Sequence, residues 1–242
     1  MMHSRSFRVA LALLFFVGTR FGFAQGNPAA KEGIEAAKRK DWDQAVEQFR
    51  KAVAAEPNDH GNSVNLALAL QERGVARVTK NRLDEGVTDL SESLQIKGDS
   101  VNAHRFRGYA LLTKRDYPHA IEDYSAILGA NAGDVEALDR RAYAFTALKQ
   151  YDKAVADYSA MIKDKPKDVR GYLGRSYVLE TTNQSKPALE DVNKALEIDG
   201  KNEIAMNRKK RLEALMKAME KNAAAAASGG APVPAPVAAP QK

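Results

Sequence analysis

The sequence predicts an all-α fold made of about five antiparallel helix–turn–helix hairpins followed by a C-terminal capping helix. The stretch RGYALLTKRDYPHAIEDYSAIL, residues 107–128, returns 34 residues later as RAYAFTALKQYDKAVADYSAMI. Apolar side chains recur at helical spacing in both copies, and turn-forming residues separate two such stretches in each. The chain contains no cysteine, so its stability must come from packing rather than from disulfides.

The repeat can be followed through five units in one register. Each unit has a small residue at the start of its second apolar stretch: Ala45, Gly86, Ala120, Ala154 and Ala188. Another small residue stands twelve positions earlier, where two helices would approach closely: Gly33, Gly74, Gly108, Ala142 and Ser176. Apolar residues four and seven positions after the first marker share one helix face, so each unit is expected to form a helical hairpin.

Two local features refine the hairpins. The first two units are 41 residues apart rather than 34. The seven additional residues make almost two helical turns, so a longer first helix in the second unit keeps its buried face. Asp43, Asp84 and Asp152 are candidate N-caps of the second helices.

The register of small residue, apolar or aromatic turn position, alanine, aromatic residue and proline resembles the tetratricopeptide repeat (TPR) family over about residues 26–200. This resemblance implies a right-handed superhelical solenoid whose first helices line a concave groove for protein or peptide segments. The tryptophan that is common near the start of the family's first helix is replaced here by Ala29, Leu70, His104, Leu138 and Tyr172. The lysines and asparagines with which some family members hold a terminal carboxylate are also absent.

The N-terminus has the pattern of a cleaved secretory signal peptide. Arg5 and Arg8 precede an apolar run at 9–17, and small residues lead to a cleavage site after Ala24. The apolar run is about half as long as a membrane-spanning helix requires, which disfavours a retained anchor. No cysteine follows the site, so a lipoprotein anchor is disfavoured too. We therefore expect export, to the periplasm or outside the cell, with no integral membrane segment after cleavage.

The predicted organisation is a signal peptide at 1–24, a repeat domain at 25–222 and an Ala/Pro-rich disordered tail at 223–242. The repeats and the capping helix are expected at about 26–59, 60–100, 101–134, 135–168, 169–202 and 203–222. Glycine and proline dominate the tail, which favours a flexible, partly polyproline-II segment.

An arginine recurs on the first helices and an aspartate follows it sixteen residues later. The four predicted pairs are Arg73 with Asp89, Arg107 with Asp123, Arg141 with Asp157, and Arg175 with Asp191. Both members lie about eight residues from the turn, so an antiparallel hairpin brings them to the same height. We interpret them as partly exposed structural salt bridges. Recognition of an anionic ligand by the arginines is the alternative.

A tyrosine series predicts the binding groove. Tyr109, Tyr143 and Tyr177 each follow the small packing position by one residue, and the resemblance places this helix face toward the groove. The predicted groove adds neighbours at helical spacing: Asn102, Arg105, Phe106, Thr113, Asp139, Arg140, Thr146 and Arg170. Tyrosines among hydrogen-bonding groups suit peptide recognition. Filling of space between stacked first helices is an equally supported interpretation.

Composition and motifs disfavour several functional classes. The formal net charge is +6, but Arg5, Arg8 and Arg20 would leave with the signal peptide, which gives 6 − 3 = +3. The remaining basic excess concentrates at 201–222, not over a face as nucleic-acid binding requires. No catalytic motif and no metal-ligand spacing is present, so neither enzymatic activity nor a cofactor or metal is predicted.

The sequence thus predicts an exported, non-catalytic scaffold that binds a protein or peptide segment in its groove. The alternative is a structural spacer or self-associating envelope component that uses the basic cap and the tail.

The export hypothesis makes a direct prediction. Mass spectrometry of the exported protein should find Gln25 at or near the N-terminus, because processing is expected after Ala24. An intact Met1 in the mature protein would contradict it.

Overall fold

A computed structural model describes residues 26–227, which contain eleven α-helices and no strand. The all-α fold class is thereby confirmed. The predicted signal peptide and the tail beyond residue 227 lie outside the described residues.

The chain divides into two compact units, Met1–Lys114 and Arg115–Lys242. Within each unit, every helix packs against the next one in the chain. The first unit contains α1 (Pro28–Lys38), α2 (Trp42–Ala55), α3 (His60–Thr79), α4 (Leu83–Ile96) and α5 (Val101–Thr113). The second contains α6 (Tyr117–Ala130), α7 (Val135–Ala147), α8 (Tyr151–Asp164), α9 (Val169–Thr181), α10 (Ser185–Ile198) and α11 (Glu203–Ala227).

The turn inside each hairpin uses one residue in the left-handed region. These residues have φ between 59° and 63°: Lys40, Asn81, Arg115, Lys149 and Asn183. The conformation is unusual for residues other than glycine, although asparagine tolerates it better than most. It recurs because the short connection must reverse the chain before the second helix begins.

The predicted caps of the second helices were misplaced by two residues where a side-chain cap exists. Asp41, not Asp43, accepts a hydrogen bond from the Gln44 amide at 3.1 Å and caps α2. Asp84 and Asp152 lie in the first turns of α4 and α8, whose N-cap residues make no side-chain hydrogen bond. Carboxylates in a first turn still interact favourably with the helix dipole.

The additional residues of the second unit of the repeat lengthen α3. This helix has 20 residues, whereas α5, α7 and α9 have 13 each. The insertion therefore extends a helix and does not form a loop.

Close helix packing depends on small residues beneath large rings. A Cβ on Gly33 would lie 2.8 Å from the Phe49 ring, and one on Gly174 would lie 2.2 Å from the Tyr158 ring. Both rings are buried. The second contact joins α9 to the preceding hairpin, so Gly174 lets α9 pack against α8.

Arginine–aspartate pairs connect the two helices of a hairpin. The guanidinium groups donate two hydrogen bonds to each carboxylate, at 2.8 and 2.9 Å for Arg73 with Asp89. The same contacts measure 2.8 and 2.9 Å for Arg141 with Asp157, and 2.7 and 2.8 Å for Arg175 with Asp191. The aspartates are buried, not partly exposed as the sequence suggested, because the hairpin closes over them.

The same arginines also reach the preceding hairpin. Arg107 donates to Ser91 Oγ at 3.1 Å, and Arg141 donates to Ser125 Oγ at 3.0 Å. Arg175 makes the equivalent contact with Ser159 at 3.0 Å. Within a unit, one guanidinium thus links its own hairpin to its neighbour.

The last helix is held by a buried arginine. Arg208 is 8% exposed and donates to the Leu173 carbonyl at 2.5 Å and to Ser176 Oγ at 2.6 Å. Leu212 packs with Leu179 in the core that α9, α10 and α11 share. The helix continues five residues past the predicted boundary at 222. Residues 223–227 are all alanine, which has the highest helix propensity.

The buried pair predicts an unequal response to two substitutions in α8. Asp157→Ala should lower the free energy of unfolding by about 2–4 kcal/mol, because Arg141 loses its partner but keeps Ser125 and some contact with water. Asp152→Ala, which removes an exposed carboxylate from the first turn, should cost about 1 kcal/mol or less. Urea denaturation followed by circular dichroism measures both. Equal losses would show that the pair does not stabilise the hairpin.

Candidate functional site

The candidate site lies in the second unit, on α7, α9 and the start of α6. Tyr117, Tyr143 and Tyr177 form an aromatic surface there, which we call the tyrosine face. Tyr143 and Tyr177 stand at equivalent positions of consecutive first helices. Tyr117 is the first residue of α6.

Tyr143 is the most exposed ring of the tyrosine face, at 54%. Its ring meets that of Tyr117 edge to face, with the centroids 6.3 Å apart and the planes at 68°. Partial burial and the hydrogen bond between the two phenols raise the pKa of Tyr143. Tyr143 is therefore fixed in orientation while much of its ring remains accessible.

Tyr177 is 40% exposed and is flanked by the capping helix. The Arg208 guanidinium lies 5.6 Å from its ring centroid, within the range of a cation–π contact. Burial lowers the pKa of Arg208, although the charge of Glu180 opposes that effect. Glu180 also accepts two hydrogen bonds from Arg211, both at 2.7 Å. The capping helix thus supports one edge of the tyrosine face.

Asp139 is a largely desolvated carboxylate one helical turn before Tyr143. Burial raises its pKa, although Arg140 and Arg170 act in the opposite direction. No hydrogen bond or ion pair of Asp139 is found among residues 26–227. A carboxylate in this environment destabilises the folded unit and retains the capacity to accept hydrogen bonds.

The other predicted groove residues of this unit have different roles. Arg140 is exposed. Arg170 donates to Asp168 at 2.6 Å, and this contact lowers the pKa of Asp168. The Thr146 hydroxyl donates to the Ala142 carbonyl at 2.8 Å, within its own helix. These side chains border the tyrosine face without forming a second cluster.

The predicted groove residues of the first unit separate into two groups. Asn102 and Arg105 line a pocket of ≈ 560 Å³ between α3, α4 and α5, together with Gln71 and Val64. Val64 belongs to the additional turns of α3, so the insertion contributes a wall of this pocket.

Phe106 and Tyr109 pack instead against the core formed by α3, α4 and α5. Thr113 Oγ1 donates to the Tyr109 carbonyl at 2.9 Å, within α5. Tyr109 is half-buried, so it differs from its two exposed counterparts in the series.

Two contributors to the tyrosine face were missed by the sequence analysis. Tyr117 precedes the repeated register of the first helices, so the periodicity of the groove positions does not include it. Arg208 lies in the basic segment 201–222, where the composition suggested a solvated surface and gave no sign of a buried contact. The serines that bind the arginines did carry a signal, because Ser91, Ser125 and Ser159 recur every 34 residues.

Within residues 26–227, no cluster of three or more His, Cys, Asp or Glu side chains could hold a metal ion. No helix in that range is both long and apolar enough to cross a bilayer.

A family model described as tetratricopeptide repeat matches residues 72–135. No curated protein sequence matches the chain.

Solved structures share the fold at low sequence identity. A crystal structure of MamA aligns with a TM-score of 0.53 at 20% identity and covers 70% of this chain and 95% of its own. A tetratricopeptide repeat protein from Parabacteroides merdae ATCC 43184 aligns with a TM-score of 0.55 at 19% identity, with coverage of 82% and 75%.

YrrB, titled a TPR protein with an unusual peptide-binding site, aligns with a TM-score of 0.58 at 15% identity and covers 74% of this chain and 88% of its own. By its fold and by the family match within residues 72–135, the chain is a tetratricopeptide repeat protein.

Proposed function

We propose that this protein is an exported, non-catalytic scaffold that binds a protein or peptide segment on the tyrosine face. The proposal combines the export signal of the sequence with the surface of α7 and α9. TPR folds serve protein–protein interaction, and the function of this chain must be argued from the site itself.

The observation that carries the proposal is the exposure of Tyr143 and Tyr177 on consecutive first helices, at 54% and 40%. Tyr124 and Tyr158, on the second helices, are almost fully buried. Exposed tyrosines that are fixed in orientation offer large contact areas at a small entropic cost. Their rings fit extended backbone and apolar side chains, while their hydroxyls provide hydrogen bonds.

Asp139 supports the same interpretation. A desolvated carboxylate without a hydrogen-bond partner lowers the stability of the unit, and such groups are typical of sites kept for function. In a complex, its oxygens would accept hydrogen bonds from the amides or side chains of a bound segment.

The spacer alternative receives less support from the capping helix. It requires the basic cap to be available for another component, but Arg208 is buried and Arg211 is paired with Glu180. Two of the seven basic residues in 201–222 are therefore engaged within the second unit.

The peptide-binding claim is tested with ligands selected from a displayed random-peptide library on the purified full chain. Replacing both Tyr143 and Tyr177 by alanine should weaken the selected peptides by about 1–3 kcal/mol in sum, because aromatic anchors dominate such interfaces. Isothermal titration calorimetry measures the change. Far-UV circular dichroism should stay the same, because both rings are largely exposed.

Tyr151→Ala provides the matched control, since Tyr151 begins α8 and lies outside the tyrosine face. It should leave peptide affinity unchanged. If the double variant binds as tightly as the parent, the tyrosine face is not the site and the spacer function gains support.

A second prediction concerns Asp139. Its pKa is raised in the folded chain, so folding favours the protonated form and the ionised carboxylate opposes folding at neutral pH. Asp139→Asn should therefore raise the melting temperature at pH 7, and the difference should narrow as the pH falls through the raised pKa. Glu190→Gln, which removes an exposed carboxylate on α10, is the control. A stabilisation by Asp139→Asn that is independent of pH would contradict the assignment.

A further inference from the structure

We propose that the proline-rich segment that follows α11, residues 228–242, docks on the tyrosine face of its own chain and competes with external partners. This inference rests on the proposed function, because both use Tyr143 and Tyr177, and it adds a mode of regulation to it.

The chemistry of the segment suits an aromatic surface. After Ser-Gly-Gly, the chain reads APVPAPVAAPQK, with prolines at 232, 234, 236 and 240. Proline-rich segments favour the polyproline-II helix, which loses little entropy on binding and docks in grooves lined by aromatic rings. Tyr117, Tyr143 and Tyr177 provide such a row of rings within the second unit.

The charges around the tyrosine face favour a neutral occupant. Arginines and carboxylates border it in equal numbers, namely Arg140, Arg170, Arg208 and Arg211 with Glu136, Asp139, Asp168 and Glu180. Residues 228–241 carry no charged side chain. A strongly acidic or strongly basic segment would meet repulsion from one of the two sets, whereas the tail meets neither.

The reach of the segment is sufficient. Arg208 contacts Tyr177, and nineteen further residues of α11 carry the chain about 28 Å from that point. The fifteen residues that follow span about 46 Å as polyproline II. A return to Tyr177 leaves about 18 Å, more than the 8–10 Å between packed helices, so the segment can also cover Tyr143.

The reversal that docking requires falls at Gly229 and Gly230, directly after the helix. Glycine-rich stretches are flexible and permit a sharp change of chain direction. An attached segment of this length has an effective concentration on the order of 1 mM, so an intrinsic Kd of about 1 mM would already occupy half of the molecules. An external partner of higher affinity would displace it.

The absence of cysteine allows a clean test in the full chain. Gln241→Cys introduces one attachment site for a nitroxide label, and paramagnetic relaxation of backbone amides reports its position. The amides of Tyr143 and Tyr177 should relax several-fold faster than those of Lys163 on α8 and Glu190 on α10. Uniform relaxation over these four positions would overturn the proposal.

A matched control keeps the length, the label and the charge of the tail. Changing Pro232, Pro234, Pro236 and Pro240 to serine should remove most of the enhancement at α7 and α9, with the helical circular dichroism unchanged. An enhancement that persists in this variant would show non-specific contact and overturn the proposal.

Two further outcomes separate the occupants. In a mixture of spin-labelled chain and isotope-labelled chain, enhancement in the isotope-labelled molecules would assign the tyrosine face to the tail of a second copy and refute docking in the same chain. Because no external partner is present, failure of this test leaves peptide binding unaffected, whereas peptide affinity that ignores Tyr143→Ala/Tyr177→Ala refutes the proposed function alone.

Discussion

The contact between a first-helix arginine and a buried second-helix aspartate sets the register of the hairpins in both units. A guanidinium donates two hydrogen bonds in a fixed geometry, so the partner carboxylate must lie at one height along the hairpin. A slip of either helix by one residue would leave a buried charge without its partner, which costs several kcal/mol. The net contribution of the intact pair to stability is smaller, because both groups lose solvation when the hairpin closes.

This constraint extends beyond single hairpins. Arg141 binds Asp157 in its own hairpin and Ser125 in the preceding one, and Arg175 repeats both contacts. Consecutive hairpins of the second unit are therefore held at a defined rotation. That rotation places Tyr143 and Tyr177 on one continuous surface, so the ion pairs position the candidate site without taking part in it.

The capping helix has a comparable double role. Its Arg208 satisfies the Leu173 carbonyl and Ser176, which would otherwise lie at the open end of the last hairpin. The same guanidinium lies over Tyr177. One side chain thus closes the core of the second unit and limits the tyrosine face. The segment that leaves α11 begins within reach of that surface, which couples the end of the fold to the proposed binding site.

The periodic sequence by itself determined the helical hairpins. Small residues, aromatic residues and turn residues recur at one spacing, and each such position imposes the same local geometry wherever it occurs. The longer α3 could also be predicted, because an insertion of almost two turns preserves a helix face.

The tertiary structure decided which equivalent residues are accessible. Tyr109 and Tyr143 occupy the same position in the repeat, yet Tyr109 packs on the core of its unit and Tyr143 is exposed. A repeat position states where a side chain leaves its own helix, but exposure depends on the side chains that neighbouring helices bring to it. The desolvation of Asp139 and the burial of Arg208 arise in the same way, from packing between helices that the repeat pattern does not encode.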